Sequence, residues 1–339
     1  MNLPLLSVVL INWNAKKYIC NCINSVFNSS YQNLEIILVD NYSTDGSLDE
    51  LRFFLGDKFT KIKLIINDKN YGPAYAVNVG VKETRGKYIS FLATDTKVDK
   101  ECFSELVKIM ESDKSIGAVE SKLLLLDEPN RFDHAGEYLN QFGLLLQRHA
   151  DQNIDRGQLD YITDIFSAKG TALTVVKEAF KKAEGIDTSY FMFLEETDLC
   201  WRIWLSGYRI LFVPSAKIYH ASGTSINSAE NRNYLAKYYG SRNYITTLFK
   251  NLGFKNLLMI IPVHVGMWFL LSLWLAIHLR IKEGLYILEG IGWNIINLGK
   301  ILEKRRNVQS KRVISDIDLM PKIMRRIKLS YLFDRVRAW

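Results

Sequence analysis

The densest group of ionisable side chains in this sequence lies in the segment FLEETDL, where Glu195, Glu196 and Asp198 fall within four positions. Carboxylates this close repel one another unless a cation or a proton relieves the repulsion. Such a group can bind a metal ion, or it can remove a proton from a substrate hydroxyl as a general base. The alternative is structural, because acidic side chains at the start of a helix stabilise its dipole.

Two further carboxylates follow apolar runs that are typical of buried strands. Asp40 ends the run EIILVD, and Asp95 follows KYISFLA. In a parallel sheet the carboxyl ends of the strands meet at one edge, where ligands bind, so both acids are expected at one crevice. Asp40 could accept hydrogen bonds from a pyrimidine N–H or a ribose, beside the backbone of Ile11 and Asn12. Its structural alternative is to cap the NYSTDG turn.

The sequence contains neither GxGxxG after its first strand nor GxxxxGK[ST]. The absence of these glycine-rich phosphate-binding loops argues against a dinucleotide-binding dehydrogenase and against a P-loop enzyme. A bound phosphate would therefore need another source of positive charge. A divalent cation held by a carboxylate such as Asp95 would supply it, because hard cations prefer oxygen ligands.

The elements that must position these residues alternate between strand and helix through the first 112 residues. Continuous β-branched runs predict strands buried on both faces, and apolar residues at three- and four-residue spacing predict helices. The predicted strands are 7–12, 35–40, 62–67 and 87–93, and the predicted helices are 15–28, 47–55, 74–84 and 100–112. This rhythm predicts an α/β fold with a mostly parallel, Rossmann-like sheet flanked by helices. The less regular middle predicts strands at 117–126, 166–176, 208–214 and 217–220.

Seven segments in this order resemble the family 2 glycosyltransferases, and most closely their rhamnosyltransferase-like subgroup. They are SVVLINWN (7–14), ILVDNYSTDGS (37–47), NYGPAYAVNVG (70–80), FLATDT (91–96), GTAL (170–173), FMFLEETDLCWRIWLSGYRILFVP (191–214) and YHASGTS (219–225). The resemblance covers roughly residues 5–225. It implies the GT-A fold, a nucleotide-diphosphate sugar as donor, Mg²⁺ or Mn²⁺ as cofactor, and inversion at the anomeric carbon.

The resemblance also implies roles for single residues at the nucleotide and metal site. Asp95, preceded by Thr94, matches the last acid of the DxD signature, whose first acid is replaced here by Ala93. His220 matches a histidine that completes the metal shell. Residues of the second nucleotide-side loop correspond to Asn70, Gly72 and Asn78, for which turn formation and helix capping are the structural alternative.

The FLEETDL segment matches a motif that usually reads Glu-Asp-x-Asp, in which the second acid is the general base. Glu196 holds that position, one methylene longer than the usual Asp, and Asp198 is the substitute candidate. Nearby aromatic residues could stack on an acceptor sugar or fill the core; they are Tyr190, Trp201 and Trp204.

The C-terminal third changes in character. Residues 257–279 carry no formal charge and are long enough to cross a bilayer, whereas 284–302 predicts an interfacial or core amphipathic helix. Residues 300–339 hold twelve Lys and Arg against four Asp and Glu, which equals the net charge of +8 for the whole chain. A basic tail after an apolar segment favours anionic lipid over nucleic acid as the partner.

These patterns predict a GT-A domain over 1–228 and a helical, membrane-associated region over 229–339, at the cytoplasmic face of the cell membrane and either peripheral or single-span. The expected partners are a nucleotide-sugar donor and a glycan or lipid-linked acceptor, with rhamnose as the first candidate sugar. Four cysteines without a CxxC motif predict reduced thiols. Two other functions stay open: a sugar-nucleotide pyrophosphorylase, and a non-catalytic membrane-associated scaffold.

Overall fold

The computed structural model describes residues 3–149, 153–221 and 229–328. The chain forms two compact units. The first comprises Met1–Glu137 and Gln147–Ser225, and the second comprises Tyr138–Leu146 and Ile226–Trp339. The last residues of the YHASGTS motif and the end of the basic tail lie outside the described residues.

The first unit is built on a ten-stranded mixed sheet. The strands, in chain order, are β1 Leu6–Asn12, β2 Leu34–Asp40, β3 Ile62–Ile66, β4 Tyr88–Ala93, β5 Thr96–Val98, β6 Ile116–Leu125, β7 Phe132–His134, β8 Glu137–Leu139, β9 Leu145–Gln147, β10 Thr163–Asp164, β11 Leu173–Val176 and β12 Arg209–His220. Their order across the sheet is β10-β12-β6-β11-β4-β1-β2-β3, with β5 beside β12 and β7 beside β6, whereas β8 and β9 pair separately.

One half of the sheet is parallel, as the sequence predicts. Strand β1 pairs in parallel with β2 and β4, and β2 pairs in parallel with β3. In the other half, β11 runs antiparallel between β4 and β6, so the sheet as a whole is mixed. The difference arises because β11 returns from a long connection instead of following a crossover helix.

Helices cover both faces of this sheet. They are α1 Ile19–Phe27, α2 Ser47–Leu55, α3 Pro73–Lys82, α4 Cys102–Ser112, α5 Lys177–Lys182 and α6 Glu195–Leu205. On α3, a Cβ at Gly80 would lie only 2.5 Å from Cγ1 of Val9, so the glycine permits close packing on β1. None of the four cysteines is in a disulfide, and three of them are buried, in agreement with the prediction of reduced thiols.

Near the site, two elements of the structure have bounds that differ from the predicted ones. The strands predicted at 208–214 and 217–220 form the single strand β12, whose register against β6 shifts between Val213 and Lys217. Of the strand predicted at 166–176, Leu173–Val176 is a strand, and a short 3₁₀ helix, Gly170–Ala172, precedes it. The bulged β12 lies beside β5 and ends at His220, which pairs with Thr96 just after Asp95.

The second unit contains most of the β8–β9 pair and is otherwise mainly helical over its described residues. Its helices are α7 Ala229–Asn251, α8 Phe254–Ile277, α9 Ile281–Ile296, α10 Leu298–Ser310 and α11 Asp316–Ile323. The helix predicted at 284–302 is therefore two helices that meet at Asn297. Among the described residues, α8 is the one helix long and apolar enough to cross a membrane, and 28% of it is buried.

Candidate active site

Polar side chains meet where β1 and β2 end. The Asn12 amide donates to Asp40 Oδ1 at 2.7 Å and to Ser47 Oγ at 2.8 Å. The other Asp40 oxygen accepts the backbone N–H of Ser43 at 3.0 Å. Asp40 is therefore buried and caps the turn that follows β2, which is the structural role that the sequence left open. The turn presents its backbone beside Ile11 and Asn12 at the carboxyl edge of the sheet.

The second predicted nucleotide-side loop is braced on this turn. Asn70 Oδ1 accepts from the Asn41 side chain at 2.7 Å and from the Gly72 backbone at 2.9 Å. Gly72 has a φ of +81°, and a Cβ there would lie 2.5 Å from the carbonyl oxygen of Phe191, so this position requires glycine. Both polar atoms of Asn78 bond the backbone of Ile186, at 2.7 and 3.0 Å, which favours its structural alternative.

The two predicted metal ligands are brought together although they are far apart in sequence. His220 Nε2 lies 3.4 Å from Asp95 Oδ1, and the preceding Thr94 hydroxyl donates to the Ile11 carbonyl at 3.3 Å. The other ring nitrogen, Nδ1, is 2.9 Å from Asp133 Oδ2. In the neutral ring, a hydrogen bond from Nδ1–H to Asp133 leaves the Nε2 lone pair available to a cation beside Asp95, whereas the protonated ring donates from both nitrogens.

Asp133 also accepts from Lys169 Nζ at 2.8 Å. Burial opposes its ionisation, but the hydrogen bond from His220 and the Lys169 ammonium together lower the pKa of Asp133. For His220 burial favours the neutral ring, whereas the hydrogen bonds to Asp133 and Asp95 raise its pKa. Asp95, His220, Asp133 and Lys169 thus form a row of neighbouring ionisable side chains, in which acidic and basic groups alternate.

A second, largely buried network of ionisable side chains lies beside Asp133 and Lys169. His134 lies between Glu120, at 2.5 Å, and Glu137, at 3.2 Å. Burial opposes the charged ring, but the two carboxylates raise the pKa of His134 to about 10. Glu120 also accepts the Lys169 backbone N–H at 2.8 Å, so the network fixes the start of the 170–173 segment.

Glu195 and Glu196 line a cavity of about 270 Å³ together with His220, Lys169 and Ile11. They begin helix α6, directly after Phe193 and Leu194, whose φ angles of +64° and +67° are left-handed. Two consecutive non-glycine residues in this region cost about 1–3 kcal/mol each. Strain of this kind is characteristic of segments that hold a functional side chain in place.

Both glutamates carry a buried Oε2 without a hydrogen-bond partner in the described structure. Burial raises the pKa of Glu196, and Glu137 adds to the shift, whereas Gly170 N–H and Lys169 oppose it. Burial and the Glu196 charge raise the pKa of Glu195 well above its usual value. A carboxylate that is desolvated in a cavity and has a raised pKa is a suitable general base near neutral pH.

Asp198 is placed differently. It is completely buried, and its Oδ2 accepts from Arg202 Nε at 2.8 Å within helix α6. Arg202 also donates to the carbonyls of Ala183 and Gly185. Asp198 is absent from the cavity lining, and this placement favours Glu196 as the reactive acid. The aromatic candidates Tyr190, Trp201 and Trp204 are each 1% exposed, so they fill the core instead of stacking on a ligand.

Asp95 itself lines a second, wider cavity of about 860 Å³ on the side of helix α1. Because Asp95 contacts His220, the pair borders both cavities. The structure therefore brings Asp95, His220 and Glu196 to one region of the first unit, and it places Asp40 and Asn70 at the neighbouring strand ends.

Comparisons with known proteins agree with this geometry. Residues 7–168 match the model of glycosyl transferase family 2. The matched segment, just under half of the chain, is therefore similar to family 2 glycosyltransferases. Over 110 residues the chain is 37% identical to an uncharacterized glycosyltransferase of Haemophilus influenzae; the match covers 32% of this chain and 44% of that relative. The chain thus spans less than half the length of that relative.

Solved glycosyltransferases share the fold of this chain. GalNAc-T7 with UDP, GalNAc and Mn²⁺ aligns with a TM-score of 0.56 and 17% identity over 73% of this chain and 51% of its own. The mannosyltransferase PcManGT of Pyrobaculum calidifontis, in complex with GDP-Man and Mn²⁺, aligns with a TM-score of 0.55 and 15% identity, over 86% and 87%. The fold is accordingly GT-A-like, with a helical C-terminal region that contains one apolar helix.

Sequence reasoning missed three residues of the site: Asp133, Lys169 and Glu120. The adjacent acid and histidine in FDHAG were a signal, because a DH pair in a loop is a candidate for ligand or proton chemistry. Glu120 gave no signal, because it lies in the middle of a continuous buried strand whose other residues are mostly apolar.

Proposed function

We propose that this chain transfers a sugar from a nucleotide-diphosphate donor to a hydroxyl of a glycan or lipid-linked glycan, with inversion at the anomeric carbon. One observation carries the proposal: in a domain similar to family 2 glycosyltransferases, the Asp95–His220 pair lies at the carboxyl edge of the sheet, and Glu196 shares a cavity with His220. This arrangement combines a cation-binding pair with a desolvated base.

The residues present fit a divalent cation that is shared with the substrate. Neighbouring ligands of an octahedral Mg²⁺ or Mn²⁺ lie about 3 Å apart, close to the 3.4 Å between Asp95 Oδ1 and His220 Nε2. No group of three or more His, Cys, Asp or Glu in the described residues could hold a metal alone. The remaining ligands would be diphosphate oxygens and water. When bound, the cation would offset charge on the departing nucleoside diphosphate.

The residues of the chain perform the other steps. Glu196 accepts the proton of the acceptor hydroxyl while the hydroxyl oxygen attacks the anomeric carbon from the face opposite the leaving group. The bond from that carbon to the diphosphate breaks, and the proton remains on the Glu196 carboxyl until solvent removes it. General base catalysis of this kind contributes about 10²–10⁴-fold to the rate. Lys169, at the cavity wall, adds positive charge on the diphosphate side.

The alternatives have less support. A pyrophosphorylase needs a glycine- and cation-rich loop after β1 to hold a triphosphate, and the loop NWNAKKY lacks glycine. A non-catalytic scaffold gives no reason for two neighbouring glutamates that each hold a buried Oε2 atom without a hydrogen-bond partner beside a cavity. Within the transferase proposal, dTDP-rhamnose is the first candidate donor on the resemblance alone, followed by UDP- and GDP-sugars.

A thermal-shift screen of nucleoside diphosphates with and without Mn²⁺, followed by turnover with the matching sugar donors, tests this function. We expect one nucleoside diphosphate to raise the Tm only when Mn²⁺ is present, and Asp95→Asn to remove that increase. An equal Tm increase in Asp95→Asn, or no product from any donor that binds, would contradict the proposal.

We also propose that the second unit holds the enzyme at the cytoplasmic face of the membrane. The supporting observations are the apolar helix α8 and the excess of Lys and Arg in residues 300–339. A lipid-linked acceptor would follow from such a location, because enzyme and acceptor would meet in two dimensions.

A further inference from the structure

Helix α8 leaves a long apolar face uncovered by protein. Its inward face carries Leu257, Ile260, Trp268 and Leu275 together with the polar His264 and Ser272, which are 0% and 4% exposed. After Lys255 in the first turn, its exposed residues are all apolar. The large exposed apolar side chains of α8 are Phe254, Leu258, Met259, Val263, Phe269, Leu270, Leu273 and Ile277. A contiguous apolar surface of this extent on a soluble protein marks an interaction site.

Helix α9 extends this surface. Ser272 Oγ donates to the Gly284 carbonyl at 2.9 Å, and Trp268, Leu275 and Ile287 pack together, so α8 and α9 form a hairpin. The exposed apolar residues of α9 recur along one stripe, and the residue at the tip of the hairpin, Leu279, is 87% exposed. The stripe residues are Ile281, Leu285, Leu288, Ile295 and Ile296. We call the outward faces of α8 and α9 the apolar face.

The inward polar groups of α8 are satisfied by protein. His264 Nδ1 lies 2.8 Å from the Phe142 carbonyl, and Trp268 Nε1 donates to His264 Nε2 at 2.9 Å. The loop around Phe142 is a polar turn, in which Asn140 Oδ1 accepts the backbone N–H groups of Phe142 and Leu144. His264 lies near the middle of α8, so this loop is fixed at mid-helix.

The position of this loop argues against a simple transmembrane helix. If α8 crossed a bilayer, the loop bound at its middle would lie at the depth of the hydrocarbon, where irregular backbone occurs only when protein or a water-filled cavity surrounds it. Helix α9 has 16 residues, about 24 Å of helix against a hydrocarbon thickness of about 30 Å. It also exposes Lys282 and Glu289 beside its apolar stripe.

The neighbouring helices α7 and α10 also argue against a spanning hairpin. Helix α7 is bonded along α9: Ser241 Oγ donates to the Ile287 carbonyl, and the Asn294 amide donates to the Arg242 carbonyl. Helix α7 contains Lys237, Arg242 and Lys250, and α10 exposes Lys300 and Arg306. A spanning hairpin would carry these cations into the hydrocarbon, whereas a hairpin lying flat leaves them on its protein side.

We propose that the α8–α9 hairpin lies flat in one leaflet of a membrane that contains anionic lipid, and that it does not cross the bilayer. The apolar face inserts to the depth of the upper acyl chains, about 5–10 Å, and the exposed Lys300 and Arg306 of α10 contact lipid phosphates. The proposal rests on the membrane location proposed above and specifies its geometry. Lipid is favoured over a second copy of the chain because of the adjacent positive charge.

Single labels along α8 distinguish a flat helix from a spanning one. Leu258→Cys, Leu270→Cys and Ile277→Cys are made in a Cys20→Ser background, because the other three cysteines are buried and unreactive under native conditions. Each is labelled with NBD, and the full chain is added to preformed vesicles of phosphatidylcholine and phosphatidylglycerol. Leu258 and Ile277 are 19 residues apart, about 29 Å along the helix.

A flat hairpin predicts one shallow depth for all three labels by spin-labelled-lipid quenching, and equal quenching by dithionite added outside. A spanning helix instead places Leu270 deepest and shields one end label from dithionite, and that result would overturn the proposal. The absence of vesicle binding, or a dimer that buries the apolar face without lipid, would overturn it as well.

A charge substitution gives an independent measurement. Leu270→Glu, on the apolar face, is expected to weaken vesicle binding about ten-fold or more, because it removes a buried apolar side chain and adds a charge. Phe53→Glu is the matched control: Phe53 is 90% exposed on α2 of the first unit, and its substitution should leave binding unchanged. Nucleotide-dependent thermal shifts of both variants report on the proposed catalytic function separately.

Discussion

The His220 ring is held by carboxylates at both nitrogens, and only one of them was a predicted partner. Asp133 fixes the Nδ1 side, and its charge is balanced by Lys169. A histidine that binds a metal through Nε2 is commonly oriented in this way by a carboxylate on Nδ1. In the proposed metal site Asp133 would be a positioning residue, and its effect should be seen in metal affinity before it is seen in any step of transfer.

Asp133→Asn should weaken Mn²⁺ binding, in the presence of the matching nucleoside diphosphate, by about 10–100-fold. Asparagine keeps the size of the side chain but removes the charge that orients His220. Calorimetric titration with Mn²⁺ measures the change. Glu128→Gln, which removes an exposed acid that pairs with Arg131, is the control. An unchanged Mn²⁺ affinity in Asp133→Asn would show that the ring is oriented without this carboxylate.

The desolvated Glu196 also makes a prediction about stability. Its pKa is raised in the folded chain, so the folded state binds this proton more tightly than the unfolded state. The stabilisation it provides is present below the pKa of an unfolded glutamate and is lost as the pH rises. Glu196→Gln should therefore unfold at a higher Tm than the wild type at pH 8, and the difference should shrink towards pH 4. A lower Tm than wild type at pH 8 would contradict this assignment.

At the scale of elements, the acids at the start of helix α6 have two different positions, one in the cavity and one in a buried ion pair. Glu195 and Glu196 line the cavity. Asp198 forms a buried ion pair with Arg202, which also donates a hydrogen bond to the carbonyl of Gly185. The sequence indicated that the cluster opens a helix, but it could not indicate which acid is buried. That depends on Arg202 and on the backbone carbonyls that Arg202 reaches.

Asp198→Asn should destabilise the first unit by about 3–5 kcal/mol, because it leaves the buried Arg202 without its counter-charge. Asp49→Asn provides the comparison within the same unit. Asp49 pairs with Arg52 on exposed α2 at 3.6 Å, and its loss should cost less than about 1 kcal/mol. Urea unfolding followed by circular dichroism measures both. Equal effects of the two variants would mean that Asp198 is not the structural acid.

Across the whole molecule, the sequence predicted the elements that repeat a simple pattern. Strands β1, β2 and β4 were recognisable from largely apolar runs, and α2 was predicted at both ends. The β12 strand was divided in two because Pro214 interrupts its pattern, and a bulge accommodates that interruption in the structure. Pattern alone cannot report a bulge, which depends on the partner strand.

The candidate site was predictable to the extent that it follows strand ends and a recognisable set of motifs. Asp95 and His220 were found in this way, and their contact follows from the pairing of β5 with β12. The networks of Asp133–Lys169 and Glu120–His134 were not found, because their members come from strands and loops with no fixed spacing. The catalytic proposal now depends on Glu196, whose carboxylate would have to reach the acceptor.

Single-turnover sugar transfer by Glu196→Gln tests this proposal most directly, with the donor selected by the Mn²⁺-dependent thermal shift. We predict that the variant binds that nucleotide with Mn²⁺ as the wild type does, but transfers sugar at least 100-fold more slowly. Glu178→Gln, an exposed acid on α5, should transfer at the wild-type rate. Transfer by Glu196→Gln within a few-fold of the wild-type rate would contradict the assignment of the base.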